Sequence, residues 1–267
     1  MSREVAADRF ARVFAVDKPI LGMLHLKGAD RADVVARALR EAEVLVDGGI
    51  DGLIVEDYFG SAQDVEAVLQ QLAGSPPGVP YGVNVLDDGP TSFLLADRYG
   101  AAFVQMDSVV GHLSVADDIP FSGEIARLRR GSDALLLGGV RFKYQPVLSA
   151  NPVDVDLRIA TGRCDAIVAT GAGTGMETPI ARLREFRFVL GAAFPLIVGA
   201  GLTAESCAEA LAIADGAIVG SSLKDTLHAD GEVSGARVAE LMGEVRAVRE
   251  AAGDSIRPAA GAGAAPA

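Results

Sequence analysis

Short apolar runs alternate with longer amphipathic stretches along nearly the whole chain. Residues 20–24, 52–55, 81–85, 101–106, 134–142, 166–170, 196–198 and 217–219 are runs of strand length with few polar interruptions. Strands buried on both faces read this way, and parallel sheets are where they chiefly occur. The stretches between them carry apolar residues at helical spacing. Val34, Val35, Ala38, Leu39, Ala42, Leu45 and Val46 place one helix over 33–47, and others fall at 62–72, from Pro90 onward, and at 124–130, 151–161, 179–190 and 203–213. A last helix spans 233–251. Residues 1–17 form an amphipathic lead-in with Val5, Phe10, Val13 and Phe14 on one face. Eight strands alternating with helices in 267 residues predict one (β/α)8 TIM barrel, α/β in class, over 1–252. Residues 253–267 form a low-complexity tail, expected to be disordered.

Punctuation strengthens the barrel and points to a ligand. Over 195–224 two short strands each run into small residues: Gly199, Ala200 and Gly201 after the first, Gly220, Ser221 and Ser222 after the second. Thr203 is placed to cap the helix between them, with Glu205 in its first turn. Main-chain N–H groups gathered at such turns favour a dianion such as a phosphate ester. Two such units in succession near the C-terminal end match the way the last two strands of a barrel hold phosphate. The segment 109–120, with His112, Asp117 and Asp118, shows no periodicity and reads as a mobile cover over the barrel mouth.

Composition narrows the partners. A net charge of −12 and a pI near 4.7 leave no basic face for nucleic acid. No apolar run is long enough for membrane insertion, and the charged N-terminal segment lacks a signal-peptide core, so a cytoplasmic protein is expected. Cys164 and Cys207 are far apart and suit the core of a protein in a reducing compartment. A homo-oligomer stays open.

Polar residues just past each strand should converge on one mouth. Lys143 ends an apolar run and is read as a nucleophile toward a carbonyl or a fixed cation beside a developing oxyanion. Glu56 and Asp107 end the second and fourth strands, and either suits a general base. His25 is a third proton-transfer candidate. Asn84 interrupts an apolar strand and needs a partner inside the barrel. Asp57, Thr170 and Thr174 complete the expected substrate contacts. The sequence implies no cofactor. A divalent cation on Glu56, Asp57 and Asp107 is the one metal arrangement left open.

Several stretches together resemble the BtpA/SgcQ family: KPILGMLHL (18–26), GGIDGLIVEDYFG (48–60), YGVNVL (81–86), YGAAFVQMDSVVG (99–111) and CDAIVATGAGTG (164–175), with FPLIVGAGLTAES and DGAIVGSSLK. The resemblance implies a (β/α)8 barrel with a phosphate-type site. One branch of that family is linked to photosystem I accumulation and another lies among sugar-metabolism genes. Around His112–Asp117 and Lys143-Tyr144 the chain departs from the family pattern, which points to a divergent substrate or to lost catalysis. Two functions are carried forward. One is an isomerase, lyase or glycosyl-type transferase acting on a small phosphorylated metabolite. The other is a non-catalytic barrel that stabilises or helps assemble a partner complex.

Overall fold

The computed structural model describes residues 3–251. Its eight strands are β1 Ile20–Leu24, β2 Gly52–Glu56, β3 Tyr81–Asn84, β4 Phe103–Val110, β5 Leu135–Val140, β6 Ala166–Ala169, β7 Leu196–Val198 and β8 Gly216–Val219. All pairings are parallel, in chain order, and β8 closes on β1 through Ile20 and Ala217. The helices are α1 Arg3–Val13, α2 Arg31–Asp47, α3 Ala62–Gly74, α4 Gly89–Tyr99, α5 Val115–Arg130, α6 Val153–Arg163, α7 Ile180–Leu190, α8 Ala204–Leu211 and α9 Gly235–Ala251. The chain is a (β/α)8 TIM barrel. The tail expected over 253–267 lies outside the described residues.

Alternation along each strand divides the apolar residues into two cores. Leu21, Met23, Ile54, Phe103, Leu135, Leu137, Val168, Ile197 and Ile218 fill the barrel, while their neighbours Leu24, Val55, Leu136 and Ile167 pack outward against the helices. The lead-in helix α1 closes the barrel floor. The Phe10 and Phe14 ring centroids lie 4.8 Å apart, and the Phe14 ring packs tilted against Phe103 at 5.4 Å. Phe103 fits because its β3 neighbour is Gly82, where a Cβ would lie 2.2 Å from the ring.

Local chemistry sets the helix starts. Asp30 accepts from the Asp33 amide at α2, Ser61 and Asp64 form a capping box at α3, and Asp88 accepts from the Thr91 amide at α4.

One expectation is overturned. The segment read as a mobile cover over 109–120 is the end of β4, a short turn, and the first turns of α5. Ser114 caps α5 and its hydroxyl donates to Asp117 at 2.6 Å. Arg163 grips both oxygens of Asp118, at 2.7 and 2.6 Å, and also donates to the Val109 carbonyl. Pro120 sits inside the helix, where its missing N–H would have met the exposed Ala116. Ala116 is exposed, so water can take the place of that hydrogen bond and the proline is tolerated.

Candidate active site at the barrel mouth

Along β2 the inward register runs Ile54 then Glu56, and along β4 it runs Phe103, Gln105 and Asp107. These side chains rise from the barrel interior to its C-terminal mouth. There they meet His25 beyond β1, Lys143 beyond β5, Gly199–Gly201 beyond β7 and Gly220–Ser222 beyond β8. Together they line one hollow of about 40 Å³. Thr174 joins them from the loop after β6. Ten of the positions singled out from sequence thus line one hollow with it.

The turn after β7 is held open by glycine for a geometric reason. Gly201 has φ 71°, and a Cβ there would lie 2.3 Å from the Met176 carbonyl group. The β6 loop therefore packs directly on the β7 turn, and Thr178 donates to the Ala200 carbonyl at 3.0 Å to lock the two. Not every amide there is available. Gly199 donates to Ala169 at 2.7 Å, and the Thr203/Ser206 capping box occupies the start of α8. After β8 a single 3-10 turn, Ser221–Leu223, begins at the hollow, and its first amides have no acceptor within that turn.

The opposite wall is made of side chains. Glu56 is 6% exposed, and burial, reinforced by the Asp107 charge, pushes its carboxyl up to about 8. Burial also raises Asp107, but hydrogen bonds and the Lys143 charge oppose the shift. Asn84 donates to Asp107 at 3.2 Å and Gln105 at 3.4 Å. The Lys143 ammonium lies 5.6 Å over the Phe142 ring, and among the described residues no ion pair ties it to Glu56. His25 is driven down to about 3, first by burial and then by Lys224 and Lys143, and so is neutral at pH 7.

Other expected contacts take supporting places. Thr170 is fully buried and accepts from the Lys143 amide at 2.9 Å, so it positions the lysine's backbone. Asn84 stands behind Asp107 and does not line this hollow. Asp57 turns away to accept from the Leu86 amide at 2.8 Å. Its charge still helps raise Glu56, yet among the described residues no three acidic, histidine or cysteine side chains gather to hold a metal ion. Lys27, just past β1, lies at the surface and pairs with Asp230 at 3.3 Å.

Sequence reasoning missed Tyr58, Gln105 and Gly175 at this site. Gln105 carried a signal, since it lies two residues before Asp107 on an alternating strand. Tyr58 lies past the strand end; its hydroxyl donates to Thr174 at 3.3 Å across the mouth. Lys224 was also missed. It is 1% exposed and pairs with Glu41 of α2 at 2.7 Å, behind His25. Both cysteines are buried and unbridged, and burial pushes the Cys164 thiol up to about 12, as befits packing residues. No helix among the described residues is long and apolar enough to cross a membrane.

Comparison with known proteins agrees with this architecture. The chain resembles the tryptophan synthase alpha chain of Legionella pneumophila, with TM-score 0.62, 14% identity, and coverage of 93% of this chain and 98% of that one. It also resembles orotidine 5′-phosphate decarboxylase of Pyrococcus horikoshii, with TM-score 0.58, 19% identity, and coverage of 85% and 99%. At such identities the likeness establishes the fold alone. Among sequence relatives, the photosystem I biogenesis protein BtpA of Synechocystis is 28% identical over 244 residues, covering 80% of this chain and 83% of that protein. An uncharacterized protein of Thermococcus kodakarensis is 28% identical over 257 residues, covering 87% and 97%. The profile of the BtpA family matches residues 16–247, nearly the whole barrel, and the chain belongs to that family.

Proposed function

We propose that this protein is an enzyme acting on a small phosphorylated metabolite, a sugar phosphate by preference, as an isomerase, lyase or glycosyl-type transferase. One observation carries the reading: a phosphoryl-sized hollow has main chain on one wall and two carboxyls with a lysine on the other. The amides of Gly201, Ser221 and Ser222 would hold the phosphoryl oxygens. The carboxyls divide the proton work. Glu56, kept protonated at pH 7, is placed as general acid, and Asp107, with its hydrogen-bond donors and the nearby lysine, as general base. Lys143 supplies the cation for charge developing on a carbonyl or leaving oxygen. His25, being neutral, serves as a hydrogen-bonding group rather than a charge. Free buried thiols suit the cytoplasm as the place of work.

The test is ligand-dependent melting followed by turnover. Inorganic phosphate and sugar phosphates should raise the melting temperature with concentration, and Ser221→Asp, which puts a carboxylate into the hollow, should remove the effect. Equal stabilisation of the variant would place the anion elsewhere. A second reading, a non-catalytic barrel serving a partner complex, is favoured by Val115 and Ile119. They are 69% and 71% exposed on the first turns of α5 beside the mouth. Absence of turnover across a broad sugar-phosphate panel would put that reading first.

A further inference from the structure

The hollow encloses about 40 Å³, the scale of a phosphoryl group, so the rest of a bound metabolite would extend beyond its walls. A second cavity of about 220 Å³ opens beside it, between the β3–α4 turn and α5, and Asp107 lines both. Met106, Phe121, Ile125 and Leu128 give this second cavity apolar walls.

Two buried polar atoms at this cavity have no hydrogen-bond partner among the described residues. They are the Ser108 hydroxyl, in a residue only 6% exposed, and Nδ1 of His112. Leaving such groups unpaired costs about 1–3 kcal/mol each, so a ligand that supplied their partner would gain from it. The His112 ring stands edge-on to Phe121 at 5.0 Å, which fixes its orientation. The charged groups lining the cavity are all acidic: Asp87, Asp88, Asp107 and Glu124, with no lysine or arginine. Asp87 accepts from Gln145 at 3.2 Å and Asp88 is occupied at the α4 cap, while Asp107 keeps room at the junction. An anion is repelled here; a flat, uncharged group bearing N–H donors is matched by acceptors at its edge and apolar side chains at its faces.

We infer that the cavity beside Ser108 and His112 is a second subsite, receiving a planar nitrogen-bearing group attached to the phosphorylated sugar. This rests on the phosphate reading above and narrows its substrate class to phosphorylated sugars that carry a nitrogen heterocycle. Ser108 and His112 bind its edge, and Asp107 stands where sugar and ring join, the bond a glycosyl-type reaction would make or break.

Calorimetric titration of the full chain with inorganic phosphate, ribose 5-phosphate and the 5′-monophosphates of adenosine, cytidine and uridine tests this. At least one nucleotide should bind at least about tenfold more tightly than ribose 5-phosphate. Ser108→Ala should abolish most of that gain while leaving ribose 5-phosphate affinity intact. It should melt no lower than wild type, because it deletes an unpartnered buried hydroxyl. Leu128→Trp, which narrows the cavity from α5, should remove the gain as well. If phosphate and ribose 5-phosphate bind but no nucleotide binds better, or if the gain survives both variants, the second subsite is overturned and the phosphate hollow stands. If neither phosphate nor ribose 5-phosphate binds, the phosphate reading fails and this inference falls with it.

Discussion

At the ends of β7 and β8 the mouth is lined by main chain, whereas at β2, β4 and β5 it is lined by side chains. The first wall needs close approach: Gly201 lies against Met176 and Gly220 against His25, where a Cβ would come 2.3 and 2.7 Å from its neighbours. The second wall needs burial: Glu56 and Asp107 are charged residue types drawn into the barrel top, and their proton affinities follow from that position. A wall of amides offers fixed partial charges that do not titrate, suited to holding a group that stays the same through a reaction. A wall of buried carboxyls offers charges that change with pH, suited to the part of the substrate that changes.

The largest expected effect is on the main-chain wall. Gly201→Ala demands a left-handed alanine and pushes its methyl into the Met176 and Glu177 backbone, for a loss on the order of 3 kcal/mol. Chemical denaturation would measure it. An unchanged unfolding midpoint would mean the two loops do not touch as described.

Side-chain burial is broken more gently and with a pH signature. Glu56 has its proton affinity raised in the folded state, so its contribution to stability is complete below its ordinary range near 4.5. That contribution is lost as pH rises through about 8. Between pH 5 and 8 wild type should therefore lose stability relative to Glu56→Gln, by a few kcal/mol at most. His25 has the opposite sign. Its affinity is lowered from 6.5 to about 3, so its contribution is complete above 6.5 and is lost as pH falls toward 3. Parallel pH profiles of wild type and Glu56→Gln would show that Glu56 is not buried as an acid.

Sequence pattern made these two walls unequally visible. Apolar runs ending in GAG and GSS declare the main-chain wall, since glycine and small residues at strand ends have few other uses. Eight strands were legible for the same reason, each being buried on both faces. The side-chain wall depends on contacts between distant segments. Nothing near Asp57 indicates that it turns to Leu86, and burial of Lys224 depends on Glu41, 183 residues away. The first turns of α5 were obscured by Pro120 and by Asp117 and Asp118. Those acids, read as loop polarity, in fact serve a helix cap and an Arg163 pair.

A smaller effect would sharpen the division within the side-chain wall. Asn84 stands behind Asp107 and acts through it, so Asn84→Ala should cost about 1 kcal/mol of stability. It should also move the basic group in a pH–rate profile upward, since a donor to the charged carboxylate is lost. A rate loss with no movement of the profile would assign Asn84 to packing alone.

The separation of holding from chemistry is tested most directly by titrating one turned-over sugar phosphate against wild type, Ser221→Asp and Glu56→Gln, with affinity and rate measured on each. Ser221→Asp should weaken binding by at least about tenfold, or about 1.4 kcal/mol. Glu56→Gln should bind nearly as wild type while its rate falls by about a hundredfold. Comparable loss of affinity in Glu56→Gln, or full affinity in Ser221→Asp, would contradict it.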